Sequence, residues 1–260
     1  MLIAHISDFH VFAQKPETPL VRLDAERTAR RVVDNLAAFA PSLDAVVLTG
    51  DLTDGGSPED YALLKDILSP LTMPIFTVPG NHDKRRAFRS AFAQSLPFGD
   101  GHFLNYEAEI GGMRVLALDT LVEGRGEGAL AAESLAWLEE RLSSAPERPA
   151  LVLLHHPPFP SGIPSLDAAT LVEGREEMAR IVRAHPARLV LLAGHIHRPY
   201  QAIWNGAYCT VAGSPAFQMG LDLTQTPHEP PLVREPYAYY VYRIQDGDIA
   251  VHTRYVSIDE

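Results

Sequence analysis

Arg188 to Pro199 reads RLVLLAGHIHRP. An unbroken apolar run, Leu189 to Leu192, ends two residues before His195 and His197. A run this short and this apolar is the pattern of a strand buried on both faces. A His-x-His where such a strand ends lies at the rim of a sheet, where layered α/β domains gather their functional side chains. Two ordinary imidazoles in a turn would explain the pair equally well in isolation, so the rest of the chain has to decide.

The same form recurs. Apolar runs at Leu2–Ile6, Ala45–Leu48, Ile75–Val78 and Leu151–Leu154 lead into Asp8-Phe9-His10, Gly50-Asp51, Gly80-Asn81-His82-Asp83 and His155-His156, and Val115–Leu118 is a further run of the same kind. Helical periodicity fills the intervals at 24–39, 61–68, 84–92, 133–142 and 176–184. Ser57-Pro58-Glu59-Asp60 has the form of a helix start, with an N-cap serine and proline at the first helical position. Strands alternating with helices predict an α/β layered domain. Phe103–Ile110 and Met113–Leu118, joined by Gly111-Gly112, read as a hairpin, so the sheets are expected to be mixed. Tyr200–Trp204, Tyr208–Val211, Tyr237–Arg243 and Ile249–Tyr255 read as antiparallel strands, with turns at Asn205-Gly206 and Asp246-Gly247.

The expected organisation is a core over 1–212, an irregular lid or oligomerisation segment over 213–236, and C-terminal strands over 237–260 that complete the core. A proline-rich stretch without period inside a compact domain is usually functional. Thr120-Leu-Val-Glu-Gly-Arg returns at Thr170, but the flanks differ and no structural repeat is expected.

Composition narrows the function. The 260 residues are 46% hydrophobic and 21% charged, a globular balance. A net charge of -11 without a basic stripe argues against a nucleic-acid polymer as partner. No segment reaches the roughly 18 apolar residues of a membrane span, and the N-terminus lacks a signal-peptide pattern, so a cytoplasmic protein without a membrane partner is expected. The single cysteine, Cys209, rules out an intrachain disulfide.

Carboxylate, imidazole and amide oxygen together suit Zn, Mn, Fe or Co. Seven candidate ligands exceed what one tetrahedral ion takes, whereas two ions sharing a bridging carboxylate would use them all. With five clusters after strands, the bland readings of single residues as caps or turn formers lose their advantage.

D-x-H, GD, GNHD, HH and GHxH, in this order from Asp8 to His197, resemble the calcineurin-like metallophosphoesterases. The SDFH opening, GNHDKR and HHPPF bring the chain nearest to that superfamily's bacterial cyclic-nucleotide and glycerophosphodiester phosphodiesterases. The resemblance implies a four-layer α/β/β/α sandwich of two mixed sheets flanked by helices, with an antiparallel C-terminal extension. It assigns Asp8, His10 and His197 to one divalent ion, Asn81, His156 and His195 to a second, and Asp51 to the bridge. His155 would then orient its neighbour or line the pocket. Asn81 and His82 form the catalytic pair: a neutral amide ligand leaves positive charge for the substrate, and His82 either contacts a phosphoryl oxygen or protonates the leaving group. Asp83 stands behind the ligands.

The implied reaction is hydrolysis of a small phosphodiester by a hydroxide formed on a bound ion, with 3',5'-cyclic nucleotides of the cAMP type expected first. Glycerophosphodiesters, or a broad range that includes phosphomonoesters, are the alternatives. A non-catalytic scaffold is disfavoured because every ligand position is filled. Self-association into a homo-oligomer is also implied. His5, His102, His185, His228 and His252 read as structural or solvated. Packing is the default reading of Phe159, Phe217 and Met219, although a wall for stacking a base is the functional one.

Overall fold

A computed structural model describes residues 1–224, 228 and 230–258. The first half runs β1 (Leu2–Ile6), α1 (Ala25–Ala37), β2 (Ala45–Leu48), α2 (Pro58–Leu68), β3 (Ile75–Thr77) and α3 (Arg85–Phe92). The second runs β4 (Tyr106–Ile110), β5 (Met113–Ala117), β6 (Gly128–Ala129), α4 (Ala132–Ser143), β7 (Ala150–Leu153), α5 (Pro164–Asp167), β8 (Leu171–Glu173), α6 (Arg175–Ala184) and β9 (Leu189–Ala193). Then follow β10 (Tyr200–Trp204), β11 (Ala207–Val211), β12 (Gln218–Met219), β13 (Leu232–Val233), β14 (Tyr237–Gln245) and β15 (Asp248–Val256).

Side-chain alternation explains the layers. In β7, Leu151 and Leu153 join the core shared with the other sheet, while Ala150 and Val152 join the core under α4 and α6. In β9, Val190 and Leu192 divide from Leu189 and Leu191 in the same way. A strand with both faces buried needs apolar residues at every position, which is why these stretches read as continuous runs. Each fully buried Leu, Ile or Val contributes about 1.5–3 kcal/mol relative to exposure.

The five-stranded sheet has the order β15-β14-β1-β2-β3, and the six-stranded sheet β10-β11-β9-β7-β5-β4. Both are mixed: β1, β2 and β3 are mutually parallel, β14 and β15 antiparallel, and the parallel set β5, β7, β9, β11 is edged by antiparallel β4 and β10. Helices α1, α2 and α3 cover the first sheet and α4 and α6 the second, the four layers expected. One expectation needs refinement. Tyr208–Val211 lies antiparallel to β10 but parallel to β9, because β10 and β11 form a hairpin added to the edge of a parallel sheet.

Two short pairings carry no sequence period and were not anticipated: β6 with β8, and β12 with β13. The second folds the 213–236 segment back on itself through Gln218 opposite Val233. Residues 225–227 and 229 of that segment, and 259–260 of the C-terminal strands, lie outside the described residues. The two copies of Thr-Leu-Val-Glu-Gly-Arg adopt different structures, a loop at Thr120 and strand β8 leading into α6 at Thr170.

Helix α2 begins as read, and with a full capping box. Ser57 Oγ accepts from Asp60 N at 3.1 Å, and Asp60 Oδ2 accepts from Ser57 N at 3.0 Å. Ser57→Ala is expected to lower unfolding free energy by about 1 kcal/mol, read as a lower denaturant midpoint at unchanged slope; an unchanged midpoint would count against the cap.

Candidate metal centre

The strands end together. Asp8 and His10 follow β1, Asp51 follows β2, and Asn81 and His82 follow β3; His155 and His156 follow β7, and His195 and His197 follow β9. The ligand atoms of Asp8, His10, Asp51 and His197 all lie within 4.8 Å of one another, as do those of His155, His156 and His195. Two sheets therefore bring residues 187 positions apart into one buried cluster.

The local backbone is built for convergence rather than ease. Asp8, His10, Asp51, His195 and His197 all have left-handed φ, between 44° and 74°. Non-glycine residues held there cost on the order of 1–3 kcal/mol each, and such residues cluster at functional sites. The only other described non-glycine residues with positive φ, Asn205 and Asp246, sit in the two expected hairpin turns. Gly50 has φ +88°, and a Cβ there would collide with the His155 ring; one at Gly80 would collide with Asp51. Both glycines serve the close approach of the loops.

Hydrogen bonds show which way each imidazole presents itself. His10 Nδ1–H donates to Asp54 Oδ1 at 3.1 Å, His197 Nδ1–H to Phe217 O at 3.1 Å, His155 Nδ1–H to Thr49 O at 2.7 Å, and His195 Nε2–H to Ala169 O at 2.8 Å. One nitrogen of each ring is thus anchored and the other turned inward, the arrangement expected of metal-ligating histidines. The inward atoms face acceptors. His10 Nε2 and His197 Nε2 are 3.1 Å apart, and Asp51 Oδ2 lies 3.4 Å from the first. His197 Nε2 is 3.3 Å from Asp8 Oδ1; His155 Nε2 is 3.1 Å from Asn81 Oδ1 and 3.2 Å from Asp51 Oδ2; His195 Nδ1 is 3.0 Å from Asn81 Oδ1. Imidazole nitrogens and carboxylate oxygens packed this closely in a buried site need positive charge among them, and this donor set fits divalent ions.

His156 belongs to the group with His155 and His195, and its ring is also engaged by neighbouring residues. Its Nδ1 is 2.8 Å from Thr120 Oγ1, and its Nε2–H donates to Gly126 O at 3.2 Å, so both ring nitrogens are engaged by the surrounding loop. His155, its neighbour, is the ring aimed at Asp51 and Asn81.

Burial and neighbouring charge shift the titrations. Burial pushes the Asp8 carboxyl up to about 7. Burial also works to raise Asp51, yet the imidazoles of His155, His82 and His10 hold it well below the usual carboxylate range. Burial works to lower His155, but Asp51 beside it raises the imidazole to about 9; His195 is pushed down to about 3 by burial. Positive charge beside Asp51 is what favours the ionised form of this buried carboxylate.

Asp54 was not singled out by its sequence pattern. Its buried carboxylate holds His10, accepts from Thr18 N at 2.8 Å and from Glu17 N, and lies 3.5 Å from His82 Nδ1. The one available signal was its place three residues after Asp51 in a loop leaving a strand. Asp83 ties the loops behind the site, accepting from Gly80 N at 2.9 Å, Leu52 N at 3.2 Å and Tyr61 Oη at 2.7 Å. Phe217 stacks on His197 with ring centroids 3.8 Å apart, whereas Phe159 is buried against Tyr200. Phe9 is buried in the core.

Two sheets whose strand ends close on clustered carboxylates and imidazoles define a metal-dependent hydrolase fold, and the chain belongs to the calcineurin-like phosphoesterase family, whose sequence model matches residues 1–199. Within that family it is similar to the bacterial phosphodiesterase group. A probable glycerophosphodiester phosphodiesterase GpdQ of Arcobacter nitrofigilis is 30% identical over 257 residues, covering 99% of this chain and 94% of that protein. The 3',5'-cyclic adenosine monophosphate phosphodiesterase CpdA of Escherichia coli K12 is 34% identical over 205 residues, covering 78% of this chain and 72% of that one. Among solved structures, purple acid phosphatase PPD1 from yellow lupin seeds superimposes with a TM-score of 0.69 at 16% identity, over 98% of this chain and 51% of the lupin chain, a likeness of fold. Among the described residues no helix is long and apolar enough to cross a membrane.

Proposed function

We propose that this protein hydrolyses small phosphodiesters at a two-ion centre. The observation that carries the reading is the convergence at Asp51: imidazole nitrogens from both sheets, His10 Nε2 at 3.4 Å and His155 Nε2 at 3.2 Å, approach one oxygen of a single buried carboxylate. Asp8, His10 and His197 would hold one ion and Asn81, His155 and His195 the other, with Asp51 shared between them. His155 takes the place expected of His156 because its Nε2 is the nitrogen turned toward Asn81 and Asp51, while the ring of His156 is engaged by Thr120 and Gly126. Paired divalent ions, Mn, Fe, Zn or Co by this donor set, supply a nucleophile at neutral pH and neutralise phosphoryl charge.

The remaining work falls to the chain itself. Asp51 Oδ1 accepts from His82 N at 2.9 Å, and Thr18 Oγ1 lies 3.3 Å from His82 Nδ1, so the His82 ring is held beside the bridge with one edge toward the opening. From there it contacts a phosphoryl oxygen or protonates the departing alkoxide. Asn81 contributes no charge, which leaves the centre net positive toward an anionic diester.

The substrate we place first is a 3',5'-cyclic nucleotide of the cAMP type. Glycerophosphodiesters are the second reading, favoured by the nearly full-length similarity to the probable GpdQ protein. Turnover of cAMP, glycerophosphocholine, bis(p-nitrophenyl) phosphate and p-nitrophenyl phosphate after reconstitution with each metal decides among them. Preference for the monoester over every diester would overturn the diesterase reading. The ligand choice at the histidine pair has its own check: His155→Ala should lose one of two bound ions by elemental analysis, and His156→Ala should keep both. The reverse pattern returns the ligand role to His156. The homo-oligomer implied by family resemblance is read by light scattering on the same samples.

A further inference from the structure

The proposed ligands come from two sheets, and what sets those sheets against each other sets the centre. Asp8, His10, Asp51 and Asn81 follow strands of the five-stranded sheet; His155, His195 and His197 follow strands of the six-stranded one. Between the sheets lie mostly apolar side chains, among them Ile3, Leu151, Leu153, Val190 and Leu192. Apolar contact is non-directional and by itself tolerates small relative shifts.

Two polar links cross this layer: at the β3 and β4 edges Tyr106 Oη accepts from Thr77 N at 3.0 Å and donates to Thr77 O at 2.9 Å, and the second runs through His5. His5 of β1 is fully buried. Its Nδ1 lies 3.2 Å from Thr210 Oγ1 on β11 of the opposite sheet, and its Nε2 3.0 Å from Thr49 Oγ1 at the end of β2. This second link continues at both ends. Thr210 Oγ1 meets the Tyr242 hydroxyl, and Thr49 Oγ1 donates to Ser7 Oγ at 2.8 Å, which donates to Thr49 O at 3.1 Å. That same Thr49 carbonyl accepts the Nδ1–H of His155 at 2.7 Å. Burial pushes the His5 imidazole down to about 3, so at neutral pH it carries one donor and one acceptor, matched to hydroxyls that serve either way. A neutral buried ring with both nitrogens satisfied is directional where its surroundings are not.

We propose that His5 is a positioning residue of the metal centre: by tying Thr210 of one sheet to Thr49 of the other, it holds the Thr49 carbonyl where it aims His155 at Asp51 and Asn81. The proposal rests on the two-ion reading above, in which His155 is a ligand. His5 touches neither ion nor substrate; it acts through Thr49.

The test compares His5→Leu, which keeps the volume apolar, with His5→Gln, which restores a donor and an acceptor. Mn2+ binding is followed by calorimetry and bis(p-nitrophenyl) phosphate turnover by absorbance, on protein shown to be folded by circular dichroism. His5→Leu should weaken the second Mn2+ and lower kcat by about tenfold, the lower end of what outer partners of ligands cost, with KM little changed. His5→Gln should recover most of both. Should His5→Leu fail to fold, Thr210→Val removes the far end of the same tie and is read by the same two measurements. Two Mn2+ bound with native affinity by a folded His5→Leu or Thr210→Val, or a His5→Gln as impaired as His5→Leu, would overturn the proposal. Native protein that takes up none of Mn2+, Fe2+, Zn2+ or Co2+ would instead sink the two-ion reading, and this one with it.

Discussion

Asp51→Ala is expected to abolish paired-ion binding and to lower kcat/KM by at least about three orders of magnitude. Asp51 is the carboxylate that faces both halves of the cluster, with His10 on one side and His155 on the other, while its second oxygen receives the His82 amide. Removing it takes away the shared negative charge that lets two cations sit close together. Charge stabilisation of the phosphoryl transition state by bound ions amounts to several kcal/mol, and about 1.4 kcal/mol is a tenfold change in rate. Elemental analysis after reconstitution should find about two ions per native chain and at most about one per variant, by the ligand count of the site. Asp51→Asn keeps the shape and loses the charge, so it should fall in the same direction; circular dichroism establishes that either variant is folded. Full occupancy with near-native turnover in Asp51→Ala would remove the bridge from the mechanism.

His82→Ala is expected to slow turnover by roughly 10²- to 10⁴-fold, the span of general acid–base contributions, with both ions retained. Its ring is the partly open member of the cluster, 27% exposed, and its Nδ1 is occupied on the inner side by Thr18 Oγ1 and by the Asp54 carbonyl oxygen, each at 3.3 Å. The other edge is left for the incoming group. The two candidate roles separate by leaving group. If His82 protonates the leaving oxygen, the loss should be large for an alkoxide and small for p-nitrophenolate, which leaves without a proton; if it contacts the phosphoryl oxygen, the two losses should match. Loss of metal equal to that in Asp51→Ala would make His82 a ligand and refute either role.

The relation of sequence to site is uneven along the chain. The strand ends were legible because a strand buried on both faces is predominantly apolar until it leaves the sheet, so Asp8, Asp51, Asn81, His155 and His195 each stand where an apolar run stops. Capping of α2 by Ser57 was legible for a similar reason, since the unpaired first-turn amides select a small set of residues. Adjacent histidines were another matter. His155 and His156 share one strand end and one chemistry, and nothing local says which ring turns inward; Thr120 and Gly126, from a loop after β5, engage one, and Thr49, after β2, anchors the other.

Asp54 and His5 belong to that second kind. Asp54 resembles any loop aspartate until folding sets it 3.1 Å from His10, and His5 resembles a stray polar residue in a core strand until Thr210, 205 positions away, meets it. The chain's own pattern therefore determined the layered fold, the rim on which chemistry gathers and the kinds of ligand found there, because burial and periodicity act over a few residues. Which ring turns inward, which carboxylate steadies its neighbour and how the two sheets are held in register were decided only in three dimensions, because a hydrogen bond depends on separations of about 3 Å between groups that sequence leaves far apart.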